Sequence, residues 1–354
     1  MAGPSRASTA TLQDIAERAG VSTMTVSRAL REGDTYQRPT FAKRARRIRR
    51  IADELGYRPN AAATAMRVGQ FRSVGLLLST VGSRSELPGG LLHGVHDALA
   101  ERDFHLTLVK LPDERLTDAG FVPRILREWM TDGLLINYNA LIPAKLIQIL
   151  HDRSMPSIWM NSKQSADCVY PDDYESARLA TRKLIEAGHR RIAYVDYSTR
   201  ADEAPWHYSG LDRQAGHATA MAEAGLTFRR IGDGLMDRRE RTGHLTAALG
   251  EAGRPSGVLA YTGRDGMLAM RAAELAGLSV PQDVSVACFM GDRRDYFGRD
   301  LSGIALPETQ IGRRAVEMLM ERIETPTESL PPAAVPGEWR DGETVSSPKG
   351  EPNR

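Results

Sequence analysis

The chain has 354 residues and a formal net charge of +2 at pH 7, and its two cysteines, Cys168 and Cys288, are too far apart to indicate a disulfide framework or a zinc knuckle. That charge is unevenly placed. Residues 1–70 hold thirteen Lys and Arg against six Asp and Glu, whereas residues 71–354 hold 34 against 39, so a basic head precedes a mildly acidic body.

Residues 11–30, TLQDIAERAGVSTMTVSRAL, predict two short helices around a tight turn. Thr11, with Asp14 three residues later, is a helix-start signal in which a hydroxyl caps backbone N–H groups and a carboxylate favours the positive end. Leu12, Ile15, Ala16 and Ala19 recur at helical spacing, Gly20 suits a left-handed helix end, and Ser22 is placed to cap the next helix. In that second helix Val26 and Leu30 face inward, and Thr23, Met24, Thr25, Ser27, Arg28 and Arg31 remain to face outward. Short hydroxyls and an arginine near a helix N-terminus suit a reader of the DNA major groove. The same pattern also describes an ordinary helical hairpin with a polar outer face.

Residues 39–56 predict a third helix, with Phe41, Ala45, Ile48, Ile51, Ala52 and Leu55 on its buried side. Lys43, Arg44, Arg46, Arg47, Arg49 and Arg50 make the other face densely basic; Gly56 ends the helix and Pro59 forbids its continuation. Asn60 caps a further run, 61–67, that is too short to be stable alone. It either orders against a partner or is a plain linker. A small basic head on an acidic body is the electrostatic footprint of a nucleic-acid module, because phosphate contacts supply most non-specific affinity.

Beyond residue 71, short apolar runs alternate with helical stretches: 74–78, 104–109, 133–136, 157–160, 191–195, 257–260 and 284–289. That alternation predicts an α/β fold with parallel sheets flanked by helices.

Thr11 to Leu30, followed by Leu55-Gly56-Tyr57-Arg58-Pro59-Asn60, resembles the head of the lactose/galactose repressor (LacI/GalR) family. The resemblance continues through Ser73-Val74-Gly75, Asp132-Gly133-Leu134-Leu135, Met155-Pro156, Gly188-His189-Arg190-Arg191-Ile192 and Pro281-Gln282-Asp283-Val284-Ser285-Val286, and so covers the chain from about residue 10 to residue 340. It implies a small all-α helix-turn-helix head plus hinge helix, joined to a two-lobed, periplasmic-binding-protein-like α/β domain. The expected division is a disordered 1–10, a DNA-binding domain at 11–58, a hinge at 59–70, an effector-binding and dimerisation domain at 71–340, and a flexible tail at 341–354. Lobe one takes about 71–172 and 303–325, and lobe two about 173–302 and 326–340.

The resemblance also assigns roles. The DNA-binding set is Thr11, Ser22, Thr23, Met24, Thr25, Ser27, Arg28 and Arg31 in the head, with Asn60, Ala63, Met66 and Arg67 in a hinge helix over 60–67. Thr23, Met24 and Ser27 turn toward bases, Arg28 toward a base or phosphate. Met66 is the apolar wedge inserted into the minor groove, with Arg67 beside it. The connection 31–38, REGDTYQR, is a few residues longer than the family usually has. The partners implied are palindromic operator DNA, a small-molecule effector and a second copy of the chain, since no leucine heptads in the tail indicate a tetramer.

For the effector cleft, Ser79 ends the first strand, Asn161 follows the strand 157–160, and Arg213, in Arg213-Gln214-Ala215-Gly216, matches the family's ligand-binding arginine. Its fork suits a carboxylate or paired hydroxyls. His207, Tyr208 and Met236 are assigned to the same cleft. Two departures stand out: Thr262-Gly263 where the family has Asn-Asp, and Met290-Gly291-Asp292 where it has an acid earlier. A cleft that keeps its arginine and loses an acid prefers an anion, and this segment is similar to the gluconate-repressor branch, so a gluconate-like sugar acid is expected. Asp172 and Asp173, before a helix, read as an N-terminal cap.

No Gly-x-Ser-x-Gly elbow, phosphate-cradling Gly-x-x-x-x-Gly-Lys or His-Glu-x-x-His is present, so an enzyme is not expected, nor any cofactor or metal. No stretch reads as a membrane span, and MAGPSRAST lacks a signal-peptide core, so a cytoplasmic protein is expected.

Overall fold

The computed structural model describes residues 10–31, 39–59, 69–118, 120–128, 130–199, 207–291, 295–296 and 298–349. The expected hinge residues Asn60, Ala63, Met66 and Arg67, the cleft residue Asp292 and residues 1–9 lie outside that set, as does the side chain of Arg31. The chain forms two units, Met1–Phe71 and Arg72–Arg354.

In the first unit, α1 (Leu12–Ala19), α2 (Thr23–Arg31) and α3 (Pro39–Glu54) follow the boundaries that local signals dictate. Thr11 and Asp14 close a capping box: the Thr11 backbone N–H donates to Asp14 Oδ2 (2.7 Å), and the Asp14 N–H to Thr11 Oγ1 (3.3 Å). Gly20 ends α1 at φ 66°, a value that costs glycine nothing. The Thr25 N–H donates to Ser22 Oγ (3.3 Å), which caps α2. Ile15, Ala16 and Ala19 of α1, Val26 and Ala29 of α2, and Ala45, Ile48, Ile51 and Ala52 of α3 make one buried cluster. Phe41, expected in that cluster, is instead 46% exposed, with the Arg44 guanidinium 5.9 Å above its ring. It is the third residue of α3, within the first turn of the helix.

The second unit holds two six-stranded sheets. In lobe one the strands are β1 (Ser73–Ser79), β2 (His105–Leu111), β3 (Gly133–Ile136), β4 (Ser157–Met160), β5 (Cys168–Asp172) and β13 (Ala333–Pro336), in the order β13-β5-β4-β3-β1-β2 and all parallel. In lobe two they are β6 (Ile192–Val195), β7 (Arg229–Ile231), β8 (Gly257–Ala260), β9 (Ser285–Met290), β12 (Ser302–Ala305) and β14 (Glu338–Arg340), in the order β14-β12-β9-β8-β6-β7, with β14 alone antiparallel. A short ribbon, β10 (Asp295–Tyr296) with β11 (Arg299–Asp300), lies between. β1, β3, β6, β8 and β9 are buried along nearly their whole length, as strands covered by helices on both faces must be.

Helices α4 (Gly89–Ala100) and α11 (Glu308–Glu324) cover one face of lobe one; α5 (Arg124–Arg127) and α6 (Ala144–Asp152) lie on the other. In lobe two, α7 (Asp173–Glu186) and α8 (Ser209–Glu223) oppose α9 (Arg238–Gly250) and α10 (Gly263–Leu275). Gly94 and Gly312 let α4 and α11 approach closely: a Cβ on either would collide with the Thr309 or Leu91 carbonyl.

The chain crosses between lobes three times: from β5 to α7, from β12 to α11, and at Gly337 between β13 and β14. Three expectations change here. The segment 326–340, placed wholly in lobe two, is divided, because β13 pairs with β5 (Ala333 beside Val169) and the Asp167 N–H donates to the Leu330 carbonyl (2.9 Å). Residues 303–305, expected in lobe one, lie in the second sheet as part of β12. The tail is also held down to Ser346. Thr344 is buried, its Oγ1 donates to the Val286 carbonyl (2.6 Å) and accepts from the Ser302 N–H (2.9 Å). The Ser346 carbonyl meets His189 Nε2 at 3.0 Å.

Candidate functional sites

On the head, the outward residues of α2 are where the spacing put them. Met24 is 80% exposed, an extreme value for so apolar a side chain, and Thr23 and Arg28 flank it, both exposed. Thr25 and Ser27 are half-buried. Ser22 and Thr25 are partly committed to the helix start, since their hydroxyls lie 2.9 Å apart, and Thr11 is committed to the α1 cap. The exposed surface that remains is Thr23 and Met24, with Arg28 beside them, and among the described residues Thr23 and Met24 carry no structural hydrogen bond.

In the second unit, both sheets reverse their winding beside their first strand, between β1 and β3 and between β6 and β8. Ligand sites in open α/β sheets form at the carboxyl ends of strands at such switch points. On the lobe-one side stands a buried cluster around Asp113. It accepts from Ser79 Oγ (2.6 Å), Arg84 Nη1 (2.9 Å) and Tyr138 Oη (2.8 Å). The Ser79 hydroxyl is thus bound within the protein, and burial together with Asp113 drives the Tyr138 phenol well above its ordinary pKa.

The lobe-two side centres on Arg213, held by the first turns of α8. Its Nε donates to Asp173 Oδ1 (2.6 Å) and its Nη1 to the Tyr261 carbonyl (2.6 Å), while the guanidinium lies 4.0 Å over the Phe289 ring and 5.0 Å over Tyr261. Asp173 is fully buried, and its Oδ2 has no hydrogen-bond partner among the described residues. The arginine expected to offer its fork to an anion already faces a carboxylate. Asp172 is the helix cap, accepting from the Glu175 N–H (3.1 Å), and Asp173 points inward.

Between the lobes, Asn161 holds a left-handed backbone (φ 52°), and its carbonyl accepts from His207 Nε2 (2.8 Å). A carbonyl only accepts, so Nε2 carries the proton and Nδ1 accepts from Ser209 Oγ (2.7 Å). Burial lowers the His207 pKa and keeps this ring neutral. Lys163 of lobe one meets Asp212 of lobe two at 2.8 Å, and Tyr208 Oη donates to the Pro171 carbonyl at 3.2 Å.

Three expected cleft residues have other places. Met290 is buried in the core beneath α9 and α10, because on β9 it shares a face with Val286 and Cys288; its neighbour Phe289 takes the opposite face and meets Arg213. Met236 packs partly buried against that same core. Thr262 caps α10, its Oγ1 donating to Asp265 Oδ2 (2.7 Å) and accepting from the Asp265 N–H (3.1 Å). Sequence reasoning missed Phe289, Tyr261, Asp113 and the inward role of Asp173. The only early signal was strand parity for Phe289. Among the described residues no group of His, Cys, Asp and Glu could hold a metal ion, and no helix is long and apolar enough to cross a membrane.

A capped, basic helix-turn-helix joined to two α/β lobes with facing switch points defines a DNA-binding regulator with a ligand-binding domain. Residues 11–60 match the model of bacterial regulatory proteins of the lacI family, and residues 181–345 that of the periplasmic binding protein-like domain. The HTH-type transcriptional repressor PurR of Pectobacterium atrosepticum is 30% identical over 329 residues, covering 90% of this chain and 92% of that protein. PurR of Aliivibrio fischeri is 27% identical over 323 residues, 89% and 92%. Among solved structures, the lac repressor dimer bound to operator and the anti-inducer ONPF has a TM-score of 0.74 at 20% identity, covering 96% of this chain and 99% of that one. The complex of the transcriptional regulator CelR with cellobiose has 0.59 at 24%, covering 95% and 99%. The chain belongs to the lacI family of bacterial regulatory proteins and is a DNA-binding transcriptional regulator; its relatives are repressors, not enzymes.

Proposed function

We propose that the chain is a homodimeric repressor that reads a palindromic operator and releases or tightens it when a small molecule enters the cleft between its lobes. The observation that carries the readout is the exposed Thr23-Met24-Arg28 surface on a capped helix of a basic head. Met24 is the most exposed large apolar side chain among the described residues. Thr23, Met24, Ser27 and Arg28 face base edges, while Thr11, Ser22, Thr25 and Arg31 lie toward phosphates. The segment 60–67, with Asn60, Ala63, Met66 and Arg67, folds as a hinge helix on the bound site. Binding-site selection from a randomised duplex pool tests this reading, the expected product being an inverted repeat. Selection of no sequence over bulk competitor overturns it. A Met66→Gly variant with full affinity and an unbent site removes the hinge from the account.

For the effector, we assign a neutral, hydroxyl-rich molecule in place of the sugar acid that the resemblance implies. Arg84, Lys163 and Arg213 each meet a carboxylate, of Asp113, Asp212 and Asp173 respectively, and His207 is neutral. An incoming anion would have to displace one of these acids, while the buried, unpartnered Asp173 oxygen favours a hydroxyl donor that can reach it. Thermal-shift titration with neutral sugars and with aldonates separates the two; stabilisation by aldonates alone refutes the neutral assignment.

A further inference from the structure

We propose that α3 carries a second DNA-binding surface, one that takes the backbone phosphates of a duplex other than the one α2 engages. It rests on the reading of α2 as the sequence reader. Thr40, Lys43, Arg44, Arg46, Arg47 and Arg50 line one groove of about 650 Å³. The sequence from Pro39 to Ala52 contains no acid, and among the described residues none of Lys43, Arg46, Arg47 and Arg50 meets a carboxylate. Pairs such as Lys43 with Arg47 and Arg46 with Arg50 stand four apart and repel, which an isolated helix has no means to offset. A polyanion offsets it.

The direction of this face separates it from the readout. The buried residues of α3 (Ala45, Ile48, Ile51 and Ala52) turn toward α1 and α2, and the cations occupy the far side of the helix. The buried residues of α2, Val26 and Ala29, turn toward that same core, so its outward residues stand on a different helix from the α3 cations. On this proposal a duplex seated on Thr23, Met24 and Arg28 leaves the α3 groove open. From Thr40 to Arg50 the helix runs about 15 Å, a length over which a duplex presents several phosphates. Recognition of single strands interleaves several aromatic rings with cations for base stacking; no aromatic residue lines this groove, and the one ring beside it, Phe41, lies under Arg44. Duplex backbone is the occupant that its chemistry fits.

The test uses the full chain, a bead-bound duplex that the protein has selected from a random pool, and a free labelled duplex of scrambled sequence. The wild-type protein on the bead captures the scrambled duplex at low salt. A variant carrying Lys43→Gln, Arg46→Gln, Arg47→Gln and Arg50→Gln loses that capture while keeping its preference for the selected duplex, and that retained preference shows its head is folded. Its salt slope on scrambled DNA falls by about 0.9 per lost phosphate contact. Arg28→Ala does the reverse, weakening preference and keeping capture. Capture that is absent in the wild type, or unchanged in the quadruple variant, overturns the proposal; the second outcome assigns bridging to the α2 faces of two protomers. If no sequence is selected, the readout assigned to α2 fails, and the salt slopes on scrambled DNA still decide the role of α3.

Discussion

Removing the Asp173 carboxylate is the most informative perturbation of the cleft. Its side chain is 0% exposed and that of Arg213 8%, and their 2.6 Å contact joins the starts of α7 and α8. Asp173→Ala leaves a buried guanidinium facing an empty space, with only the Tyr261 carbonyl and two rings around it. Breaking one side of a buried pair costs about 3–5 kcal/mol, whereas replacing both partners by apolar residues is often nearly neutral. For a unit of this size that loss lowers the midpoint of unfolding by roughly 5–8 °C. All four tryptophans (Trp129, Trp159, Trp206 and Trp339) belong to the second unit, so indole fluorescence of the full chain follows that unit alone. Asp173→Ala and Arg213→Met are each expected to shift the midpoint strongly, Asp173→Leu with Arg213→Met much less than their sum. Single variants within 1 kcal/mol of wild type, or a double variant as unstable as both losses added, would refute a coupled buried pair.

Gly94→Ala forces α4 and α11 apart at the Thr309 carbonyl and is expected to cost about 1–3 kcal/mol as overpacking, read by the same fluorescence melt. Thr11→Ala removes the α1 cap and costs the head about 1 kcal/mol, seen by far-UV circular dichroism. The Thr11 backbone N–H and hydroxyl hold the Asp14 carboxyl below its ordinary pKa of 3.8, so that contribution is present above 3.8 and vanishes as pH falls through the lower folded value. Burial pushes Asp265 up to about 6 from 3.8, so the fold favours its protonated form, and its share of stability is lost as pH rises from about 4 to 6. Burial also pushes His217 down to about 4 from 6.5, so its share is lost as pH falls across nearly the same window. The two slopes oppose each other. Asp265→Asn is expected to stabilise the unit at pH 7 by on the order of 3 kcal/mol and to expose a loss of stability below pH 6.5 in urea titrations; an unchanged pH profile counts against the buried acid.

What the sequence disclosed was what local chemistry decides. Thr11, Gly20, Ser22 and Gly56 act on their own few neighbours, and β1, β3, β4, β6, β8 and β9 are apolar runs that only a covered sheet accommodates. β5 (CVYPD) and β13 (AAVP) each carry a proline and pair with each other across more than 160 residues, so neither is readable without its partner. β7 (RRI) is an edge strand with two arginines. Thr344, in a Pro-, Gly- and Ser-rich tail, is fixed by β9 and β12 and not by its own neighbours. Met290 was one step out of phase with Phe289, an error that costs nothing along the strand and everything across it. Asp173 looked like its neighbour Asp172 because capping is local, while its true partner stands 40 residues away.

The same contrast explains why the two lobes can respond to a ligand at all. Each lobe is held by a large apolar core on both faces of its sheet. Across the cleft the described contacts are mostly polar: His207 on the Asn161 carbonyl, Tyr208 on the Pro171 carbonyl, and Lys163 on Asp212, with the lysine side chain 45% exposed, beside one edge-on ring contact of Tyr170 with Tyr208 at 5.5 Å. Hydrogen bonds contribute about 1 kcal/mol each and exposed ion pairs less, so one arrangement of the lobes outweighs another by only a few kcal/mol. A small molecule can shift that balance by no more than its difference in affinity for the two arrangements, about 1–3 kcal/mol in most coupled systems. A cleft closed by an apolar seam would exceed that range and stay shut. A neutral His207, a Lys163 half in water and a single ring contact keep it within reach.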